Sequence, residues 1–136
     1  MNETEACIAL NMLPHVGPVR VKKLLSAFGS PAAVLKAEAS NIQGVSGIGS
    51  EVAQSIAGWK DRVDPAAELK RVTDFGAHIL TQQDSAYPRL LREIHDPPIV
   101  LYVWGDPSVL DTQAIGVVGT RKPSHYGLGC AKKLSY

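Results

Sequence analysis

Apolar residues recur at helical spacing through the first 60 or so residues of the chain. Val21, Leu24 and Phe28 follow the spacing i, i+3, i+7, which places them on one face of a helix. Pro18 precedes this face and Gly29 follows it, and these residue types favour the first position and the end of a helix. The same criteria predict helices over residues 3–12, 18–28, 31–35 and 50–59, a single turn over 40–43, and a helix over 65–75.

The pattern changes after Gly76 to short apolar runs separated by turn residues. Ala77–Thr81 and Ile99–Trp104 are rich in β-branched and aromatic residues, so each is predicted to be a strand. A third run, Ile115–Val118, has the composition of a strand buried on both faces of a parallel sheet, and a helix over 126–134 is predicted after it. The sequence therefore predicts an all-helical domain over residues 1–62 and an α/β portion over residues 63–136.

The helical portion contains an internal repeat with an offset of 32 residues, the separation of Gly17 and Gly49. In both halves an apolar residue precedes the glycine and an amphipathic helix follows it, so that Leu24 aligns with Ile56. This arrangement resembles a tandem helix-hairpin-helix (SAM-like) domain, in which glycine amides often hold duplex phosphate. In the first hairpin Pro18 lacks one of the N–H groups that a phosphate would need, and in the second the donors are kept but Glu51 follows them. We therefore favour a structural or partner-docking role over duplex binding.

The residues after the third predicted strand have the composition of an anion-binding turn. Gly119 is predicted to end the strand at a bend that a side chain would crowd, and Ser124 suits the N-cap of the next helix. A turn between a strand and a helix N-terminus favours bound anions, and Arg121 can hold a phosphate bidentately. The alternative is an ordinary turn with solvated cations. The Gly-x-Gly-x-x-Gly spacing is absent, which disfavours a dinucleotide site.

Charge is unevenly distributed, although the formal net charge of the 136-residue chain is only +1. Residues 1–112 hold ten Lys and Arg side chains and all thirteen Asp and Glu side chains. Residues 113–136 hold four basic side chains and no acid. A positive end on a nearly neutral chain favours an anionic partner at that end.

Composition argues against several other classes of protein. With 45% hydrophobic and 20% charged residues, the chain resembles an ordinary globular domain, and no run approaches the roughly 18 apolar residues of a membrane span. The acidic N-terminus is unlike a secretory signal, so a cytoplasmic location is expected. Cys7 is expected in the core, and its spacing from Cys130 is not that of a metal site. The four histidines are scattered along the chain, and none is placed to pair with a nucleophile. We therefore expect no metal, cofactor or catalytic group.

Three linked motifs carry a resemblance to a known family. They are Tyr87-Pro88-x-x-Leu91, Ile94-x-Asp96-Pro97-Pro98-x-x-Leu101-Tyr102-x-x-Gly105, and Val117-Val118-Gly119-Thr120-Arg121-x-x-Ser124-x-Tyr126-Gly127. Their order resembles the DprA/Smf family, the DNA-processing proteins of natural transformation, over about residues 85–129. The preceding double hairpin is similar to the helical N-terminal domain that many members carry.

The resemblance implies that the helical domain is followed by the start of an extended Rossmann-like domain. Members of the family bind single-stranded DNA without reading its sequence, protect incoming DNA, load the RecA recombinase and self-associate, and they need no catalytic group. The family's glycine-Ser/Thr-Arg turn matches Gly119, Thr120 and Arg121. By this match we expect the three residues, and more loosely Lys122 and Ser124, to hold DNA phosphate.

The chain also departs from the family pattern. A glycine-rich stretch, further basic residues and the dimer surface are expected after the matched region and are absent, so we expect a truncated protein whose last helix is cut in mid-course. The α/β portion is expected to be less completely formed than the helical domain. Two alternatives remain open, namely a nucleotide-processing enzyme of a related Rossmann group, and a helix-hairpin-helix module that docks duplex DNA or protein.

Overall fold

The computed structural model describes residues 1–135, which form a helical unit followed by a small sheet and a last helix. The helices are α1 (Glu3–Met12), α2 (Pro18–Phe28), α3 (Pro31–Lys36), α4 (Ala39–Gln43), α5 (Ser50–Ala57), α6 (Pro65–Asp74), α7 (Arg89–Arg92) and α8 (His125–Leu134). The strands are β1 (Ala77–Thr81) and β2 (Val100–Trp104), and 3-10 turns cover Trp59–Asp61 and Pro107–Asp111. The predicted helix over 50–59 ends at Ala57, because Gly58 follows and Trp59 enters the first 3-10 turn.

The internal repeat predicted at an offset of 32 residues is present in the backbone. The amide of Val16 donates to the carbonyl of Leu13, and the equivalent amide of Ile48 donates to the carbonyl of Val45. Equivalent positions in the two turns also have positive φ, 63° at His15 and 84° at Gly47. Gly17 and Gly49 are the extended N-caps of α2 and α5. The α1–α2 and α4–α5 pairs are therefore two copies of one helical hairpin.

The core of the molecule lies between these hairpins. Leu24 of α2 and its repeat partner Ile56 of α5 have no exposed surface. Other fully buried core side chains come from α1, α2, α3 and α4, namely Ile8, Leu10, Val21, Val34 and Ile42. The apolar faces predicted from sequence spacing are the faces that the fold buries.

Three cations of α2 are held by backbone carbonyls of three separate loops. Arg20 donates to the carbonyl of His15 in its own hairpin turn, at 2.6 Å. Lys23 donates to the carbonyl of Ser46 in the second hairpin turn, at 3.2 Å, and Lys22 donates to the carbonyl of His95 before β2, at 3.0 Å. Helix α2 therefore contacts both turns of the helical unit and the loop that leads into the sheet.

The described sheet is an antiparallel pair, with Ala77 opposite Trp104 and Thr81 opposite Val100. Helix α6 packs against both α1 and β1, so it joins the helical unit to the sheet. The domain boundary near residue 62 stays a prediction. No helix within residues 1–135 has the length and apolar character that crossing a bilayer requires.

The prediction of a third strand over Ile115–Val118 is wrong for this structure. Residues 113–120 form no helix or strand, and Ile115 and Val118 are 85% and 97% exposed. A strand of a parallel sheet needs neighbouring strands to satisfy its backbone groups and helices to cover its faces, and the described residues supply neither. The parallel arrangement expected there is likewise replaced by the antiparallel β1–β2 pair.

The two cysteines lie in different surroundings. Cys7 is buried in the core, as predicted, and burial together with the negative charges of Glu3 and Asp84 raises the pKa of its thiol to about 11. Cys130 lies half-buried on α8. Because the thiolate is the reactive form, the pKa of Cys7 protects it from alkylation near neutral pH.

We expect iodoacetamide at about pH 8 to modify Cys130 and to leave Cys7 intact, as measured by mass spectrometry of the digested protein. In denaturant both thiols should react, which is the control for reagent and detection. Equal modification of the two thiols in the native protein would contradict the protection of Cys7.

Folding raises the pKa of Cys7 above its ordinary value of 9.0. The thiol therefore ionises more readily in the unfolded chain, and the stability of the protein falls as the pH rises from 9.0 towards about 11.

Candidate nucleic-acid interface

The five residues predicted to hold phosphate lie together in one exposed turn between residues 113–118 and helix α8. Gly119, Thr120, Arg121, Lys122 and Ser124 are all exposed to solvent. The structure therefore brings the predicted site residues together, although the strand predicted to support them is absent from the described residues.

Ser124 is the N-cap of α8, as predicted. The amide of Gly127 donates to Ser124 Oγ at 3.1 Å, which satisfies one of the N–H groups left without a partner at the helix start. The serine hydroxyl accepts in this bond, so its own proton can still be donated to a ligand oxygen.

Thr120 is already engaged inside the turn. Its hydroxyl donates to the backbone carbonyl of Lys122 at 2.9 Å, which closes the turn over two residues. The hydroxyl proton would have to leave this carbonyl before it could be donated to a phosphate oxygen. The predicted role of Thr120 as a phosphate donor thus requires a side-chain rotation.

Arg121 and Lys122 carry the positive charge of the turn. Both are exposed, and neither forms an ion pair with a carboxylate of residues 1–135. Lys132 and Lys133 add two more charges in the last turn of α8. The positive potential of this end is therefore not cancelled by contacts within the described part of the chain.

An open groove of about 610 Å³ lies between the turn and α8. Val118, Thr120 and Ser124 line it from the segment before α8, and Leu128 and Leu134 line it from α8 itself. Neither Arg121 nor Lys122 is among the residues that line the groove. The groove is mainly apolar, and its polar groups are concentrated at the N-terminus of α8.

The structural reason predicted for Gly119 is wrong. A Cβ built on Gly119 would meet no other atom within 4 Å, and its φ is not positive. A side chain would therefore not crowd this bend in the described structure. Gly119 stays a candidate for close approach of the backbone to a ligand, which the absence of a side chain favours.

Two of the other sequence motifs have a structural role. Tyr87 is only 2% exposed, and its hydroxyl donates to the carbonyl of Pro98 at 2.8 Å. Gln82 donates to the carbonyls of Pro97 and Pro98. The Tyr87 and Asp96-Pro97-Pro98 motifs therefore fix the entry into β2.

The hairpin turns form a second cluster of backbone groups that an anion can approach. At Gly17 the next residue is Pro18, which has no N–H to donate. The second turn has donors at that position, and Lys23 Nζ lies 2.8 Å from where a Cβ on Gly47 would be. Each hairpin turn thus holds one cation of α2, Arg20 in the first and Lys23 in the second, and Glu51 lies in the first turn of the helix that follows the second.

The chemistry available at these surfaces is binding by charge and hydrogen bonds. Within residues 1–135, no three His, Cys, Asp or Glu side chains converge in a way that could hold a metal ion. The turn at 119–124 offers a guanidinium, an ammonium and a serine hydroxyl beside a helix N-terminus, which are ligands for an anion such as phosphate.

Two family models match this chain. The model of DNA recombination-mediator protein A matches residues 78–136, and the model of the SAM-like helix-hairpin-helix tandem matches residues 8–57. The second match confirms the helix-hairpin-helix type of the repeated hairpins, as predicted. The Rossmann-like extension stays a prediction.

Curated relatives point in the same direction. The chain is 33% identical to protein Smf of Synechocystis sp. over 132 residues, which cover 94% of the chain and 33% of that protein. It is 42% identical to DNA processing protein DprA of Bacillus subtilis over 53 residues, 38% of the chain and 18% of that protein. A DNA ligase of Synechococcus sp. is 33% identical over 73 residues, 52% of the chain and 10% of the ligase.

The chain thus spans about a third of the length of the Synechocystis relative. No solved structure gives a significant match. Both halves of the chain match by family model, in the order that the sequence motifs predicted, and one relative aligns over nearly the whole chain. This protein belongs to the DprA/Smf family.

Proposed function

We propose that this protein binds single-stranded DNA without reading its sequence, as part of DNA processing in natural transformation. The observation that carries the proposal is the turn over residues 119–124, in which Arg121 and Lys122 are exposed and pair with no carboxylate of the described chain. Membership of the DprA/Smf family and the names of its relatives support the same partner.

The proposed contact uses the backbone of the nucleic acid and not its bases. A phosphate at the start of α8 would meet the helix dipole and the hydroxyl of Ser124, with Arg121 and Lys122 neutralising its charge. The apolar groove beside the turn would accommodate sugar or base surface without hydrogen-bond selection. Such a contact does not depend on base sequence, since every nucleotide carries the same phosphate.

The wider role of the family follows as part of the proposal. We infer that the protein protects incoming DNA, presents it to the RecA recombinase and associates with further copies of itself. These activities concern the whole family protein, of which the chain spans about a third in the Synechocystis relative. No catalytic step is needed for any of them.

We expect Arg121→Ala to weaken binding of a fluorescent oligothymidylate several-fold and to lower the slope of log affinity against log salt by about one, because one phosphate contact is lost. The measurement is fluorescence anisotropy at several salt concentrations. Arg62→Ala is a matched control, since Arg62 is also exposed and forms no ion pair with the described residues. An affinity that Arg121→Ala leaves unchanged at every salt concentration would remove the support for this site.

A second candidate function is docking of duplex DNA at the second hairpin. It is favoured by the position of Lys23 over Gly47 and by the donors of the Gly49–Ser50 segment at the start of α5. In the same assay this alternative would make duplex DNA a better competitor than single strands, and Arg121→Ala would have no effect.

A further inference from the structure

A basic groove lies between α2 and the segment that runs from the end of α7 to β2. Its volume is about 420 Å³, within the usual range of small-molecule sites. Helix α2 contributes Lys22 and Leu25, the end of α7 contributes Arg92, and the loop before β2 contributes Pro97 and Ile99. We call this cavity the Lys22–Arg92 groove.

Lys22 is held at the groove by a neutral partner. Its ammonium donates to the carbonyl of His95 at 3.0 Å, and it forms no ion pair with a carboxylate of residues 1–135. A lysine ammonium has three donors, so two stay available to a ligand. The carbonyl fixes the position of the charge without cancelling it.

Arg92, at the end of α7, is also held by neutral partners. Its Nη2 donates to the carbonyls of Asp84 and Tyr87, at 3.0 and 3.4 Å, and its guanidinium carbon lies 5.5 Å from the centre of the Tyr87 ring. The Nε and Nη1 groups have no partner among the described residues, so they can donate to a ligand.

The carboxylates nearest in sequence to Arg92 have other partners. Glu93 pairs with Arg89, Asp96 Oδ1 lies 3.7 Å from His95 Nε2, and Asp84 accepts both the amide and the hydroxyl proton of Thr81. None of the residues lining the groove is acidic. Two positive charges from distant parts of the chain therefore face one cavity with no acidic wall.

The remaining lining is mostly apolar, with Leu25, Ile94, Pro97 and Ile99 among its members. A site with cations on one part and apolar surface on another suits a ligand with an anionic group joined to a flat, weakly polar body. A nucleotide has this chemistry, with its phosphate for the two cations and its sugar and base for the apolar wall.

We propose that the Lys22–Arg92 groove binds a nucleotide, with the phosphate held between Lys22 and Arg92. The nucleotide is either free or one unit of a nucleic-acid strand, since both present the same phosphate ester. This site is separate from the turn at 119–124 and does not require that turn to bind DNA.

The first test is an NMR titration of the 136-residue chain with AMP. The expected result is that amide shifts of residues lining the groove, such as Gln82 and Ile99, change with saturation. Shift changes confined to the 119–124 turn, or no change at millimolar AMP and no effect of the variants below on oligothymidylate, would overturn the proposal.

The second test uses Lys22→Gln and Arg92→Gln, each of which removes one charge from the groove. Each is expected to weaken binding of AMP, of oligothymidylate, or of both by about tenfold, because a charge-assisted hydrogen bond to phosphate is lost. An effect on AMP alone identifies the ligand as a free nucleotide, and an effect on the oligonucleotide alone identifies it as a strand. Wild-type affinity of both variants for both probes would refute the site.

Two neighbouring cations serve as matched controls. Arg20→Gln removes a charge from α2 whose partner is the carbonyl of His15, and Arg89→Gln removes one from α7 that is paired with Glu93. Neither residue lines the groove. Equal losses in these controls would indicate a general charge effect and would contradict the proposal. If Arg92→Gln does not fold, Arg92→Lys, which keeps the charge, and Lys22→Gln decide the question.

The outcome is independent of the proposed function. Arg121→Ala is expected to leave the AMP-induced shifts of the Lys22–Arg92 groove unchanged, whatever it does to oligonucleotide binding. If Arg121→Ala leaves oligonucleotide binding unchanged and Lys22→Gln abolishes AMP binding, the 119–124 turn is rejected as a binding site and the groove is kept. The opposite pair of results would reject the groove and keep the turn.

Discussion

Replacing Leu24 by alanine is expected to lower the free energy of unfolding by about 2–5 kcal/mol. Leu24 has no exposed surface and lies in the core between the two hairpins, where Ile56 is its counterpart in the second repeat. The substitution removes buried methyl groups and leaves a cavity that rigid helices on all sides cannot fill. Leu10 and Ile56, which are buried to the same degree, should show losses of similar size.

The measurement is urea denaturation followed by circular dichroism. Leu90→Ala is the matched control, because Leu90 is 65% exposed and the same atoms are removed from solvent-facing positions. We expect that variant to lie within about 0.5 kcal/mol of the wild type. A loss below about 1 kcal/mol for Leu24→Ala would mean that the hairpins do not pack around this residue as described.

Replacing Gly47 by valine is expected to destabilise the protein by about 1–3 kcal/mol. Gly47 has a φ of 84°, a region that β-branched residues adopt only with strain. A Cβ at this position would also lie 2.8 Å from Lys23 Nζ, so the lysine would have to leave the carbonyl of Ser46. Backbone strain and the lost hydrogen bond act in the same direction.

Two companion variants isolate the cause. Gly116→Val should have little effect on the midpoint of urea denaturation, because Gly116 has no positive φ and no atom within 4 Å of its Cβ position. His15→Gly should raise the midpoint, since His15 holds the equivalent left-handed position in the first hairpin with φ of 63°. If Gly47→Val were as stable as Gly116→Val, the left-handed turn would not be required.

Much of the helical unit could be predicted from the sequence, because local spacing and turn chemistry agree there. Pro18 and Gly29 bracket α2, and the offset of 32 residues between Gly17 and Gly49 corresponds to a repeat of backbone geometry. The strand β1 was also predicted with its observed bounds, since Gly76 and the polar residues after Thr81 delimit it.

Prediction from the sequence failed where the structure of a segment depends on contacts with distant segments of the chain. Ile115–Val118 has strong strand propensity, yet a strand exists only when neighbouring strands accept its hydrogen bonds. The Lys22–Arg92 groove was missed for a related reason. Lys22 contacts the carbonyl of His95 across 73 residues, and no sequence pattern connects two such distant positions.

The anchoring of α2 has a consequence for how the protein responds to ionic strength. Arg20, Lys22 and Lys23 are bound to neutral carbonyl oxygens, so dissolved ions have no pair of opposite charges to screen at these three points. A polyanion held by exposed cations is released as salt rises, because its counterions compete. Concentrated salt should therefore release the proposed nucleic-acid partner while the helices stay joined to their loops.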